Sequence, residues 1–254
     1  FSDGSNTTFD EQVLTLTQYK VNEEICRGTV FPTWIGENMQ RNGDIPTNFS
    51  DFLMATVAAN AGQQIENGIW VGKLDGTNNS TGFLSNTGDF DGAGFAGAAL
   101  AGFEEQAITT MTNTNTVDQL SLVYDKAVTE VPGILTKPDI AFYVNIKTYG
   151  LYMQELALAG TGQGINMLGP NQSLQNMTFL GIPIHVCPGM PDDGIVLTYK
   201  SNLVYGTNLA TDWTEASIIP TYQYMGNDAV RIVMNFAVGV QCGVAGDGII
   251  GHTL

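Results

Sequence analysis

Two histidines and three cysteines are the side chains of this 254-residue chain best suited to nucleophilic or metal chemistry, so their spacing is the first guide to function. His185 and Cys187 stand two apart on a run that predicts a strand, which puts both on one face and could pair a thiolate with its base. A histidine satisfied within a sheet is the simpler reading. His252, near the end, has no acidic or cysteine partner at a zinc-like spacing, and neither HExxH nor GxSxG occurs. Cys26, Cys187 and Cys242 lie far apart without a CxxC motif, so reduced, buried thiols are expected.

Gly92, Gly94 and Gly97 spell GxGxxG, with Asp118 downstream where a ribose-binding acid would stand. A dinucleotide fingerprint must follow a buried apolar strand, and here the polar turn LSNTGDFD precedes it, so a flexible loop is expected. Asp89 and Asp91 resemble part of a calcium loop that lacks its later ligands. The acidic pairs Glu23–Glu24, Glu104–Glu105 and Asp192–Asp193 are adjacent in sequence, and neighbouring residues point to opposite faces of a strand, which does not suit a glycosidase acid and base. Asn-x-Ser/Thr triplets begin at Asn6, Asn48, Asn79, Asn171 and Asn176, as chance gives in so Asn- and Thr-rich a chain. No catalytic, cofactor-binding or metal-ligating residue is therefore assigned, no cofactor is expected, and the chain reads as a non-enzyme.

The elements around these residues are mixed. VLTLTQY, Val13 to Tyr19, alternates as a strand, and Thr33 to Arg41 reads as a short helix stopped by Gly43 and Pro46. From Phe49 to Asn67, apolar Phe49, Leu53, Val57, Ala61 and Ile65 recur every four positions, predicting a long amphipathic helix. Residues 71 to 116 carry turn signals throughout and predict loops with short strands. A second helix is predicted over Val117 to Val131, capped by Thr116 and ended by Pro132 and Gly133; its stripe is Val117, Leu120, Val123, Tyr124, Ala127 and Val128. Strands are predicted at Ile140 to Asn145, Thr178 to Cys187 and Ile195 to Tyr199, with a helix over Lys147 to Leu158. A closing hairpin pairs Ala216 to Met225 with Ala229 to Gln241.

The charge balance narrows the partners. Twenty-five acidic residues against nine basic ones give a formal charge of −16, and the scattered Lys and Arg form no cluster, which argues against a direct nucleic-acid reader. Only 13% of residues are charged, about half the roughly 25% of ordinary soluble domains, while 43% are apolar. Interface cores are depleted in charge, so one reading has much of the surface facing neighbouring copies; the other is a secreted, Asn/Thr-rich protein. No run of about 18 apolar residues exists, so no membrane span is expected. Phe1 is not an initiator Met, so the mature chain was trimmed or residues precede it.

Several phrases, in order, resemble the major capsid proteins of tailed phages, the Hong Kong 97-type shell fold. TLTQYKVNEEICRGTVFPTWIGENM followed by the helix from Phe49 resembles the passage from an extended arm into a long spine helix. IENGIWVGKLDGTNNSTGFLS, Ile65 to Ser85, is similar to the acidic, Gly-rich phrase after that spine. AFYVNIKTYGL, Ala141 to Leu151, and FLGIPIHVCPGMPDDGIVLTYKSNLVYG, Phe179 to Gly206, resemble the family's second domain, and Arg231 within AVRIVMNF stands where its closing hairpin carries a basic residue.

The resemblance implies an α+β shell fold: residues 1–20 a remnant of the extended arm, 21–115 a peripheral β-rich domain with the spine helix at 49–67, 116–206 an axial α/β domain, and 207–254 strands returning to the periphery. The arm is partial, so Phe1 is an internal start or this branch is shortened. Some relatives cross-link through an arm lysine; residues 1 to 19 contain none and Lys20 sits at the arm's base, so no such bond is expected. The implied function is a major capsid protein that self-assembles into pentamers and hexamers of an icosahedral shell around double-stranded DNA, without sequence-specific binding or a membrane. The implied partners are further copies and portal, scaffolding or decoration proteins. The implied location is the virion, after assembly in the host cytoplasm. The alternatives are an encapsulin-type nanocompartment shell and a secreted adhesin or carbohydrate-binding β-rich protein.

Overall fold

The computed structural model describes residues 13–26, 49–71, 102–158, 177–207, 216–221, 226, 229–244 and 246–253. The expected helix at Thr33 to Arg41, the GxGxxG glycines, Asp89 and Asp91 lie outside them. The long apolar stripe forms helix α1, Phe49–Val71, which runs one turn beyond its expected end because Ile69 and Trp70 still find apolar neighbours. Helix α2 is Thr116–Glu130 and α3 is Ile146–Leu158. Thr116 is not the cap of α2: it is the first helical residue, and its hydroxyl donates to the Thr112 carbonyl at 2.6 Å. On the α2 stripe Leu120, Val123 and Ala127 are buried, whereas Val128 is exposed, having drifted past the edge of the face.

A six-stranded sheet forms one half of the molecule. Its strands are β2 Glu104–Ile108, β3 Ile140–Val144, β4 Thr178–Phe179, β5 Ile182–Val186, β6 Ile195–Tyr199 and β10 Ile249–Thr253, in the order β2-β10-β6-β3-β5-β4. β2 pairs parallel with β10 and β3 parallel with β5, the other pairings being antiparallel. The single strand expected over Thr178 to Cys187 is in fact the β4–β5 hairpin, folded at Leu180 and Gly181, which both have positive φ. β2 and β10 fall in segments expected at the periphery, yet they extend the sheet that holds β3, β5 and β6.

β3 and β6 are buried at all five positions because both faces are covered, as expected for near-continuous apolar runs. On one face Phe142, Val144, Ile195, Leu197 and Ile249 pack under α2 and α3, with Phe142 meeting Phe179 edge-on at 5.7 Å. On the other, Tyr143, Val196 and Ile250 meet Trp70 of α1 and Val240 and Cys242 of β9. Each fully buried Ile, Leu or Phe contributes about 1.5–3 kcal/mol.

The second sheet is built on β9, Ala229–Cys242, a 14-residue strand. β1, Thr17–Cys26, lines one side, and β7, Leu203–Thr207, and β8, Ala216–Pro220, share the other. The first strand thus begins at Thr17, not Val13, and continues to Cys26, because β9 offers ten consecutive partners from Ala229 to Val238. Alternate residues of β9 face α1: Val230 and Ile232 clamp Leu53 and Val57, while Val240 and Cys242 belong to the cluster around Trp70. α1 and β9 therefore run side by side across the joint between the sheets.

Candidate functional site

His185 lies on β5 while Cys187 falls one residue beyond its end, and both approach Tyr143 without forming a nucleophile and base. The His185 ring leans on Tyr143 at 5.7 Å, and its side chain is exposed. Burial, reinforced by Glu66 of α1, pushes the Cys187 thiol up to about 12, so it stays protonated at neutral pH. Burial likewise raises Tyr143 to about 12, with Cys187 adding to it. Cys242 is buried as expected, whereas Cys26, at the end of β1, is exposed.

His252 is buried on β10, with Nε2 3.7 Å from Glu105 of the neighbouring β2, a partner that sequence spacing could not reveal. The two acidic pairs that lie on strands, Glu23–Glu24 on β1 and Glu104–Glu105 on β2, split as alternation requires, and Asp192–Asp193 divides its contacts within the turn that precedes β6. Glu24 meets Arg231 directly across the β1–β9 register at 2.8 Å, while Glu23 borders the groove beneath α1. Glu104 lies 3.8 Å from Lys126 while Glu105 reaches His252. Asp192 holds Lys147 at 2.8 Å, raising the lysine's pKa, and Asp193 accepts the Met111 N–H at 3.0 Å. Asp118 sits exposed in the first turn of α2, where its charge suits the helix dipole. Among the described residues, no three of His, Cys, Asp or Glu gather as metal ligands, and no helix is long and apolar enough to cross a membrane.

Most polar groups with long-range contacts act as joints. The Asn202 amide donates to Thr198 Oγ1 and to the Val244 and Asp247 carbonyls, each at 3.2 Å, and its carbonyl accepts the Val244 N–H at 2.7 Å. That fixes the turn between β6 and β7 to the connection between β9 and β10, where the sheets meet. Asn145 donates to the Met190 carbonyl and accepts the Lys147 N–H at 2.9 Å, which closes the start of α3.

Among the described residues the surface offers open apolar features. A groove of about 440 Å³ lies between the middle of α1 and the second sheet, lined by Ala61, Ile65, Phe236 and Val238 among others. It exists because α1 is clamped at both ends while Ala61 and Gly68 present little side chain between. Large apolar side chains also project singly, at Leu122, Ile146, Leu180, Val204 and Ile219. The arrangement suits association by shape, with buried polar groups spent on holding the two sheets together.

Comparison with known proteins agrees with this architecture. The family model described as "Phage capsid family" matches residues 42–218, more than half of the chain. Among solved structures, the capsid of the empty GTA particle superposes with a TM-score of 0.58 at 15% identity, over 99% of this chain and 80% of that one. Gordonia phage Cozz gives 0.58 at 12% identity, covering 100% and 78%. The satellite phage P4 procapsid gives 0.57 at 15% identity, covering 99% and 79%. No curated protein matches the sequence. At such low identities the structures speak for a shared fold, and the family match for membership: the chain belongs to the phage capsid family.

Proposed function

We propose that this capsid shell protein is the repeating wall subunit of an icosahedral particle, assembling as pentamers and hexamers that enclose double-stranded DNA. The observation that carries this reading is the family match over residues 42–218. In the Hong Kong 97-type arrangement, α1 serves as the spine helix, and the β1-β9-β7 sheet with β8 forms the peripheral domain. The six-stranded sheet under α2 and α3 forms the axial domain near the five- and sixfold positions. Residues before β1 would then belong to the extended arm.

The physical character of the chain supports such a role. A formal charge of −16 with no basic cluster keeps the wall from adhering to phosphates, so a genome can move past it. Low charge density leaves wide surface for contact with further copies, and many weak contacts summed over a shell give collective stability. Portal, scaffolding and decoration proteins would dock on the finished lattice, and the virion is where the subunit ends. Function in this reading is geometry, and no catalytic group takes part.

Sedimentation and negative-stain microscopy of the purified chain across salt and concentration test the proposal. Rings of five or six and closed shells are expected. Native particles that dissociate to stable monomers with glycan affinity would replace the proposal with the binding-protein alternative.

A further inference from the structure

Gly206 of β7 and Gly239 of β9 stand directly opposite each other in the second sheet. Glycine weakens a strand interior, and neither residue has the positive φ that would call for one. What calls for them is space. A Cβ on Gly206 would overlap the Leu14 side chain, with Leu14 Cγ 3.3 Å away. A Cβ on Gly239 would overlap the Thr15 carbonyl oxygen, with Leu16 Cδ2 3.3 Å away. Paired glycines under a crossing chain are what close approach of a second backbone requires.

β7 lies on one side of β9 and β1 on the other, where Thr17 is the first paired residue, opposite Val238. Residues 14–16 therefore cross from β7 over β9 to β1. They do so on the face turned away from α1, because Gly239 alternates with Val238 and Val240, which border the groove beneath that helix. Among the described residues no backbone hydrogen bond ties this crossing to the strands under it, and Val13 just before it is 68% exposed. A contact made by close fit can lift without breaking the β1–β9 ladder. We propose that Gly206 and Gly239 form a seat for residues 14–16. This strap, seated or lifted about a hinge at Thr17, sets the direction in which the chain before it leaves the sheet. Under the shell reading that direction is what presents the chain to a neighbouring copy; this use of the strap rests on that reading, whereas the seat itself does not.

Backbone 15N relaxation of the unassembled full chain tests the seat. Residues 14–16 should have order parameters near the roughly 0.85 of rigid backbone, falling below about 0.6 in Gly239→Ala while the thermal midpoint changes little. Leu14→Ser combined with Leu16→Ser should lift the strap equally, with both glycines in place and the sheet untouched. Gly206→Ala should also lift it, and adding Leu14→Ala should reseat it, since the crowding there is against a side chain. The same addition should not rescue Gly239→Ala, whose new carbon meets main chain. Order parameters unaltered by Gly239→Ala, or already below about 0.6 in the unchanged chain, overturn the seat. Where the unchanged chain forms particles, the lifted variants should need at least a tenfold higher concentration to assemble. Assembly of them at the ordinary concentration overturns the strap's use. Failure of the unchanged chain to form any particle overturns the shell reading and that use with it, while relaxation still decides the seat.

Discussion

At the residue scale, burial decides which titratable groups are inert. The Cys187 thiol, at about 12 in the fold against 9.0 when free, keeps a proton that the unfolded chain loses. Stability therefore falls as pH rises between about 9 and 12. Tyr143, at about 12 against 10.0, adds to the loss above pH 10. Thermal midpoints of Cys187→Ala should decline less steeply over this range than those of the unchanged protein. In the unassembled protein at pH 8, a thiol reagent should modify Cys26 quickly and the other two cysteines slowly, as peptide mass mapping would show. Asn202 is the polar counterpart. Replacing it with Ala strands the part-buried Val244 N–H and neighbouring carbonyls and should cost about 1–2 kcal/mol in denaturant unfolding. The divergence of Glu23 from Glu24 and of Glu104 from Glu105 was legible from strand alternation alone, whereas Asp192 and Asp193 lie in a turn. The roles of Asn202 and His252 were not legible, because Val244 and Asp247 lie 42 and 45 residues from Asn202 and Glu105 stands on a different strand from His252.

At the element scale, periodicity found what local pattern can find. The α1 stripe, the α2 face and the apolar runs of β3 and β6 needed only spacing, since Leu53 and Val57 of α1, Leu120, Val123 and Ala127 of α2 and every residue of β3 and β6 are buried in the way their sequence repeats. The missed elements were those whose pattern is set from outside. β10 is short and contains Gly251, and it becomes a strand because β2 and β6 flank it. The β4–β5 turn was invisible because Leu-Gly carries no ordinary hairpin signal. Close approach is equally hidden until elements meet. A Cβ on Gly189 would stand 2.4 Å from the Glu66 carbonyl oxygen of α1, so Gly189→Ala must push the helix end away. We expect a loss of about 1–3 kcal/mol in thermal or denaturant unfolding, with changed Trp70 fluorescence.

At the scale of the whole molecule, composition carried as much as fold. Thirteen per cent charged residues and a charge of −16 describe a surface that repels its own copies at long range yet has little to desolvate at contact. Assembly should therefore strengthen as salt rises from low to moderate levels, with a falling threshold concentration by light scattering. A threshold that rises with salt would mean that ion pairs hold the copies together. The outline of the wall subunit was legible in phrases spread from Thr15 to Gly206, while the sheet pairing that carries β2 and β10 across to β6 was not.

The most direct measurement is electron microscopy of native particles, with nuclease-protected nucleic acid assayed on the same preparation. Icosahedral shells holding double-stranded DNA are the predicted result. Shells filled with protein cargo and free of DNA, or particles resolved only as monomers, would contradict it.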